Sequence, residues 1–327
     1  NVSLKTYQEL QKMFTDAGIP TFSDMIIGLP DETYDSFTNG VSSVIEGGQH
    51  NRIQFINLSI LENADMSSPE YQEKYGFILQ ECRAVSHHTT LDSDNTIDET
   101  ETLVIGTKTM PKADWVKTRV FCWMMALLHF NKLFQIPLVI LSKTYSLSYR
   151  ELVELFLTDN KKYPLVSEIK SLLTDRALAI QSGGCEYIPS QQWLNIWWPA
   201  DEFVFIKLCN DNSISQFYDE ATRIVIEYLR KSGVPFSEQL LHEAINLNAE
   251  LIKKPFVSEN KKICLASNLL EVYRAALSGK SLLLLEGKYC YEIIRDCQVW
   301  KSWDDWCREV VWYGTKRGAY LYDYVAI

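Results

Sequence analysis

Three residues with period-two spacing in the segment DMIIGLPDET (residues 24–33) are the first candidates for chemistry. An extended strand alternates its side chains, so Asp24, Ile26 and Gly28 share one face and the two residues between them face the other way. Gly-Leu-Pro then breaks the apolar run, and acidic and hydroxylated residues follow where a helix would begin. Barrels of alternating strands and helices place their chemistry at such a junction. The segment therefore predicts an apolar strand that ends at a functional site.

Two adjacent histidines near an acidic stretch are a second candidate. Imidazole and carboxylate groups both bind divalent metals, and His87 and His88 precede Asp92, Asp94 and Asp98. Adjacent side chains on a strand point in opposite directions, however, and an acidic loop is more often simply solvated. We therefore assign no metal ligands from the sequence.

The cysteines offer no compact motif. Eight of them are scattered along the chain, at positions 82, 122, 185, 209, 264, 290, 297 and 307. Most lie in helical or apolar patterns, and a cysteine nucleophile would need a partner in space that spacing alone cannot reveal. The prediction is a set of free, largely buried thiols, with the catalytic residues left unassigned.

Tryptophan is concentrated in two groups. They are Trp193, Trp197 and Trp198, and then Trp300, Trp303, Trp306 and Trp312. Aromatic platforms bind sugars or bases by stacking, but spacings of three and four residues are also those of helix neighbours in a core. Core packing is the expected role. If the C-terminal half contains a ligand groove, these residues are the first candidates to line it.

The elements that must position these side chains can be read from hydrophobic periodicity. Residues 3–17 and 33–45 have helical spacing, and apolar strands occur within residues 19–28 and 52–61. This order of helix, strand, helix and strand predicts two parallel strands joined by a right-handed crossover. Because two strands cannot close a barrel, we expect the unit to belong to something larger, and the chain to begin within a domain.

The rest of the chain changes character twice. Residues 63–110 are polar and irregular, apart from a brief strand candidate at residues 103–105. The remainder is rich in helical patterns, with strands expected near residues 281–285 and 320–325. Helices are predicted over residues 112–134, 148–157, 164–178, 211–232, 237–252 and 264–276.

Composition excludes some function classes. A net charge of −10 opposes encounter with nucleic acid phosphates or anionic lipid, so neither is an expected partner. The most apolar segment, residues 120–141, is interrupted by His129, Asn131, Lys132, Gln135 and Pro137. We interpret it as two buried elements rather than a membrane span. With no basic and apolar leader at the start, a cytoplasmic location is expected.

The segments around Gly28 carry a family resemblance. DMIIGLPDET, preceded by a helix and a Gly-Ile pair, resembles the fifth-strand segment of radical S-adenosylmethionine (SAM) enzymes. Residues 56–77 (INLSILENADMSSPEYQEKYGF) are similar to the sixth strand and its exit in cobalamin-dependent members. Residues 99–110 (ETETLVIGTKTM) and 309–318 (EVVWYGTKRG) are similar to parts of their C-terminal extensions.

The resemblance implies an architecture and a ligand site. The implied fold class is α/β. Residues 1–67 would be the C-terminal part of a radical SAM partial (β/α) barrel and would contain its strands five and six with their flanking helices. An irregular connection in residues 68–111 and a mainly α-helical C-terminal domain in residues 112–327 follow. In that family the fifth strand faces the adenosine, which implies that Ile26 packs on the adenine, Gly28 permits close approach and Asp24 lies near the ribose. For Glu32 we prefer a structural role in the first turn of a helix, where a carboxylate complements the helix dipole.

The resemblance also implies a reaction. Such enzymes hold a 4Fe–4S cluster on a CxxxCxxC triplet, cleave S-adenosylmethionine to a 5'-deoxyadenosyl radical, and in cobalamin-dependent methyltransferases transfer a methyl group to a small-molecule substrate. No CxxxCxxC triplet occurs in this sequence. The expectation is therefore a C-terminal half that is inactive alone and works with a missing N-terminal half of the same protein.

Two alternatives stay open at this point. The chain could be a helical binding or interaction protein that uses no cofactor and whose resemblance to a barrel is accidental. It could also be an unrelated α/β enzyme that uses His87, His88 or a cysteine. The first alternative predicts that the complete protein takes up no iron and binds no S-adenosylmethionine. Bound zinc without iron would favour the second.

Overall fold

The N-terminal unit of the computed structural model is a helix–strand–helix–strand arrangement. The structure describes residues 3–91, 99–314 and 319–327. Helix α1 (Leu4–Asp16) precedes strand β1 (Phe22–Ile27), and helix α2 (Tyr34–Glu46) precedes strand β2 (Arg52–Asn57). The two strands pair in parallel, as the order of elements predicted. Strand β2 is shorter than the ten-residue strand expected from its apolar pattern.

The chain then turns back to form an antiparallel pair. Helix α3 (Pro69–Tyr75) leads into strand β3 (Ile78–Arg83), which pairs with strand β4 (Thr100–Gly106). Residues 68–111 thus contain regular elements, whereas the sequence predicted an irregular connection. A bridge between Ser59 and Leu103 joins the exit of β2 to β4.

The described part of the remaining chain is largely helical but also contains five strands. The helices of this part are α4 (Lys112–Met125), α5 (Gln135–Tyr145), α6 (Tyr149–Glu154), α7 (Pro164–Gln181), α8 (Ala200–Asn210), α9 (Ile214–Ser232), α10 (Glu238–Leu251), α11 (Leu269–Leu277) and α12 (Trp303–Trp306). The strands are β5 (Ile188–Ser190), β6 (Ile196–Trp198), β7 (Lys261–Ser267), β8 (Glu286–Ile294) and β9 (Asp323–Ala326). Strands β5 and β6 form an antiparallel pair, and β7, β8 and β9 form an antiparallel sheet in that order. The partial barrel and the domain boundaries remain predictions, since small sheets of two or three strands are compatible with more than one parent fold.

Two sequence predictions in the C-terminal part are wrong. Residues 264–266 lie in β7, where Ile263 and Leu265 alternate with exposed neighbours, and the helix begins only at Leu269. Residues 281–285, expected as a strand, lie before β8 and are exposed. Apolar composition alone predicted that strand, but the ladder between β7 and β8 begins only at Glu286, after the four leucines.

The core is centred on α4 and the helix that follows it. Residues 126–130 continue α4 as a π-helix, and α5 then leaves at an angle of 93°. Both elements are buried, as predicted for residues 120–141. Among the described residues no single helix is long and apolar enough to cross a membrane, although this bent pair would pass on length and composition. Helix α4 packs against α2, α7 and β4, which fixes the N-terminal unit to the helical part.

Candidate functional site

The β1–β2 pair has one open face and one covered face. On the open face Ile26 lies opposite Ile56, and Asp24 lies opposite Gln54. Ile26 and Ile56 are 37% and 39% exposed, whereas Ile27 is fully buried. The alternation predicted for this strand therefore holds for Asp24 and Ile26, which lie on the side that the protein leaves uncovered. It is wrong for Gly28, which follows the end of β1 and is buried.

The covered face is held by packing and by a polar cluster. Ile27 and Ile53 belong to the hydrophobic core, with Met25 packed against it. Near the start of β1, Gln49 Nε2 donates to the Ser23 hydroxyl at 2.9 Å, and the Tyr7 hydroxyl contacts the same oxygen. These contacts fix which face of β1 is open, because a shift by one residue would bury Asp24.

Gly28 has a structural requirement of its own. Its φ is +93°, in the range that favours glycine, and a Cβ placed there would lie 3.4 Å from the Val104 carbonyl oxygen and 3.8 Å from Trp115. Gly28 is buried where β1 leaves the sheet, against β4 and α4. These neighbours account for the glycine without a ligand, so its predicted role beside a cofactor stays a prediction.

The turn after Gly28 ends at a capped helix. Thr33 is the N-cap of α2, and a capping box joins it to Ser36. Glu32 lies just before this cap, so the expectation that it sits in the first helical turn is wrong, and Asp35 is the acidic residue there. Burial raises the pKa of Glu32 to about 7. At neutral pH this carboxyl group can therefore either donate or accept a proton.

A cavity of about 130 Å³ lies beside the open face. It shares three residues with that face, Phe22, Arg52 and Gln54, and residues of α4 and α8 also line it. Its walls combine aromatic rings with paired charges. The lining residues are Phe22, Arg52, Gln54, Phe55, His87, His88, Arg119, Trp123, Ala126, Glu186, Tyr187, Pro199, Asp201 and Glu202.

Arg119 is the central cation of the cavity. Its Nη1 donates to the Phe55 carbonyl oxygen at 3.0 Å, and its Nη2 is paired with Glu186. Asn57 donates to the other carboxylate oxygen of Glu186 at 2.8 Å. The guanidinium also lies 4.3 Å from the centre of the Trp123 ring. These contacts hold a buried charge in one position.

A second ion pair involves the first residue of β2. Arg52 Nη1 donates to Asn131 Oδ1 at 3.0 Å, and its Nη2 lies 3.8 Å from Asp201 Oδ2. Asn131 donates to the same Asp201 oxygen at 2.9 Å. Burial raises the pKa of Asp201, and Arg52 opposes that rise.

His88 forms the third polar contact. Its Nε2 lies 2.6 Å from Glu202 Oε2, and both side chains are almost fully buried. The ring lies 4.9 Å from Trp312 and 5.2 Å from Trp198, centre to centre. The His88 backbone has a φ of +60°, which is uncommon for a residue with a side chain. The second ring nitrogen, Nδ1, is buried and has no hydrogen-bond partner among the described residues.

The metal hypothesis finds no support around these histidines. Asp92, Asp94 and Asp98 lie outside the described residues. Within the described ranges, no group of three histidine, cysteine or acidic side chains is arranged to hold a metal ion. The His88 side chain instead forms a hydrogen bond with Glu202, which lies 114 residues further along the chain.

The cysteines follow the prediction except for one pair. Cys264 and Cys290 lie opposite each other in β7 and β8 and form a disulfide, so they are not free thiols. Four of the free thiols, those of Cys82, Cys122, Cys209 and Cys307, are buried, Cys185 is half-buried and Cys297 is exposed. Burial raises the pKa of Cys82 to about 11 and those of Cys122, Cys209 and Cys307 further, which disfavours a nucleophilic role for these four.

Most of the tryptophans are core residues, as expected. Trp193, Trp198, Trp300 and Trp306 are at most 6% exposed. The helical spacing inferred for Trp193 and Trp197 is wrong, since Trp197 lies in β6 and Trp193 in the turn before it. His88 contacts Trp198 and Trp312, which brings one member of each group near the cavity.

Sequence reasoning did not single out the charged residues of the cavity. Arg52, Arg119, Glu186, Asp201 and Glu202 come from four separate parts of the chain. One signal was available: Arg119 lies within the helical pattern of residues 112–134 and directly precedes the apolar segment 120–141. A charge at such a position must be paired when the helix is buried.

Comparison with known proteins gives two relatives. Over 132 residues the chain is 34% identical to the cobalamin-dependent radical SAM methyltransferase TokK of Streptomyces tokunonensis. Over the same length it is 32% identical to the 2-(S-pantetheinyl)-carbapenam-3-carboxylate methyltransferase of Streptantibioticus cattleyicolor. Each match covers 39% of this chain and 19% of the relative, so the chain spans about a fifth of these proteins. No family model matches the chain. The predicted resemblance is confirmed at this level: the chain is similar to part of a cobalamin-dependent radical SAM methyltransferase.

Proposed function

We propose that this chain is part of a cobalamin-dependent radical SAM methyltransferase and that the open face of β1 and β2 is the wall that binds adenosine. The observation that carries the proposal is the parallel β1–β2 pair, with Asp24 and Ile26 uncovered on one side. The similarity to TokK supports the reaction class. The complete protein would act on a small molecule, which the sequence does not name.

The chemistry of the open face suits a nucleoside. Ile26 and Ile56 lie side by side and provide an aliphatic surface on which a flat base can pack. Asp24 lies one pleat away on the same face, and its carboxylate can accept hydrogen bonds from ribose hydroxyls. Because Ile26 is 37% exposed, covering its remaining apolar surface contributes up to about 1 kcal/mol, roughly a third of the value for full burial.

The described cysteines do not fit an iron–sulfur cluster. Cys290 is disulfide-bonded, Cys307 is buried, and no CxxxCxxC spacing occurs in the sequence. The proposal therefore assigns the cluster ligands to residues outside this sequence, in a missing N-terminal half of the same protein, and expects this chain alone to be inactive. A reduced 4Fe–4S cluster would supply the electron that cleaves S-adenosylmethionine, and cobalamin would supply the methyl group.

The test is anaerobic reconstitution of the complete protein with iron and sulfide, followed by addition of S-adenosylmethionine and a strong reductant. We expect 5'-deoxyadenosine and methionine to form. The 327-residue chain treated in the same way is the control, and we expect it to form neither product.

Two results would contradict the proposal. If the complete protein takes up no iron and binds no S-adenosylmethionine by calorimetry, the alternative of a cofactor-free binding protein becomes the better account. If the isolated chain produces 5'-deoxyadenosine, the assignment of the cluster ligands to residues outside the chain is wrong.

A further inference from the structure

Strand β2 has a strand partner on one side only. It pairs with β1, and within the described ranges no second strand pairs with β2 itself, because the bridge to β4 lies beyond its end, at Ser59. Leu58 N donates to the Ile27 carbonyl oxygen at 3.0 Å. In this parallel register the backbone groups of Ile56 point to β1, and those of Phe55 point to the other side of β2. The Phe55 carbonyl oxygen therefore needs a partner that is not a strand.

Arg119 of α4 supplies that partner. Its Nη1 donates to the Phe55 carbonyl oxygen at 3.0 Å, while its Nη2 pairs with Glu186. The other carboxylate oxygen of Glu186 accepts from Asn57 Nδ2 at 2.8 Å. One ion pair thus contacts the residues on both sides of Ile56, through the backbone of Phe55 and the side chain of Asn57.

The ion pair is well placed to fix a strand. Arg119 is 2% exposed, and its guanidinium lies 4.3 Å from the centre of the Trp123 ring. A buried arginine keeps its proton, and moving it away from its carboxylate would leave an unpaired charge in the interior. Because α4 belongs to the core, Arg119 ties the C-terminal half of β2 to the core.

We propose that Arg119 and Glu186 are positioning residues for the open face, and that they hold Ile56 level with Ile26 so that the two side chains form one surface for the adenine. They act through Phe55 and Asn57 and need not touch the nucleoside. The inference rests on the proposed function for its ligand, whereas the positioning of β2 can be tested without one.

Two variants weaken the ion pair in different ways. Arg119→Lys keeps the positive charge beside Glu186, but an ammonium group lacks the planar fork with which arginine reaches two acceptors, so the contact with Phe55 should be lost. Glu186→Gln keeps the size of the side chain and removes its charge, and it should act in the same direction but more weakly. The Glu186 side chain is 21% exposed, so this variant should fold even if Arg119→Lys does not.

Arg295→Lys is the matched control. Arg295 is 5% exposed, pairs with the Glu250 carboxylate and donates to the Glu250 carbonyl oxygen, and its guanidinium lies over the Tyr322 ring. It therefore combines a buried ion pair, a backbone contact and an aromatic ring, as Arg119 does, but these contacts lie outside the N-terminal unit. A general loss of stability should affect the two lysine variants alike.

Hydrogen exchange of the 327-residue chain, followed by nuclear magnetic resonance, tests the positioning of β2 without a cofactor. We expect Arg119→Lys to speed the exchange of the Ile56 and Leu58 amides about tenfold or more relative to the amides of α9, as the loss of one hydrogen bond to a charged group predicts. Arg295→Lys should leave this ratio unchanged. The inference is overturned if neither Arg119→Lys nor Glu186→Gln changes the ratio, or if Arg295→Lys changes it equally.

Calorimetry on the complete, reconstituted protein connects the strand to the ligand. We expect Arg119→Lys to weaken the affinity for S-adenosylmethionine about fivefold or more, and Arg295→Lys to change it less than about twofold. If the wild type binds S-adenosylmethionine and Arg119→Lys binds it equally well, the positioning role is wrong. If the wild type does not bind it, the proposed function is contradicted, and the exchange ratio shows separately whether Arg119 fixes β2.

Discussion

Ile26 of β1 lies opposite Ile56 of β2 on the open face, while its neighbour Ile27 is completely buried on the other side. Adjacent residues of one strand thus have different environments: one contributes to the core, and the other presents apolar surface to the space beside the sheet. Since apolar surface at the centre of a strand pair is usually covered, this face is where we expect a ligand or another part of the protein to bind.

The contrast between the two isoleucines can be measured as stability. Ile27→Ala should lower the free energy of unfolding by about 3 kcal/mol, because it leaves a cavity in the core. Ile26→Ala should change it by less than about 1 kcal/mol, because the side chain is already partly exposed. Urea denaturation of both variants provides the comparison, and equal losses would show that the two faces are wrongly assigned.

Replacing each of two glycines of the N-terminal unit by alanine should change the free energy of unfolding in opposite directions. Gly28→Ala places a side chain at a φ of +93° and should cost about 1–2 kcal/mol of unfolding free energy. Gly40 lies within α2, where a Cβ would make an ordinary 3.7 Å contact with Met25, so Gly40→Ala should stabilise by about 1 kcal/mol. Thermal or urea unfolding measures both, and a stabilised Gly28→Ala variant would rule out the backbone geometry described for this turn.

Glu32 should make stability depend on pH. Its pKa is raised to about 7 in the folded protein from 4.5, so between these values the native state holds more protons than the unfolded chain. Stability must therefore fall as the pH rises through this range. Glu32→Gln removes the ionisation, and its stability relative to the wild type should rise by about 1 kcal/mol between pH 5 and pH 8, after allowance for partial exposure. Parallel stability curves for the two proteins would show that Glu32 is not buried as described.

The disulfide should contribute to stability under oxidising conditions. Cys264 and Cys290 are 26 residues apart, and closing a loop of that length restricts the unfolded chain by about 3 kcal/mol. The double variant Cys264→Ser and Cys290→Ser should lose that amount, and reductant should destabilise the wild type but not this variant. Cys297→Ser, at an exposed free thiol, is the control. If mass spectrometry finds both cysteines alkylated without reduction, the bond is absent.

Local patterns predicted much of the N-terminal unit and most helices. Alternation placed Asp24 and Ile26 on one face, and element order predicted the parallel strands, because both depend on neighbouring residues. The same reasoning failed at residues 264–266, where a short alternating strand precedes a helix and the two periods merge into one apolar pattern.

The cavity could not be predicted in this way. His88 and Glu202 are 114 residues apart, and Arg119 and Glu186 are 67 apart, so their contacts depend on the packing of the whole chain. Spacing reveals residue types and not partners, so for the pair of histidines a metal site could be considered from the sequence but the contact with Glu202 could not. The tryptophans near His88 likewise belong to separate segments that meet only in the fold.

The affinity of the complete, reconstituted protein for S-adenosylmethionine, measured by calorimetry with a matched pair of variants, tests the central claim most directly. Ile26→Asp places a charge on the open face of β1, and Ile78→Asp places one at a position of similar exposure in β3, 40% against 37%. We expect Ile26→Asp to weaken binding at least tenfold and Ile78→Asp to change it less than twofold. Equal affinities of the two variants would contradict the claim that the β1–β2 face binds the adenosine.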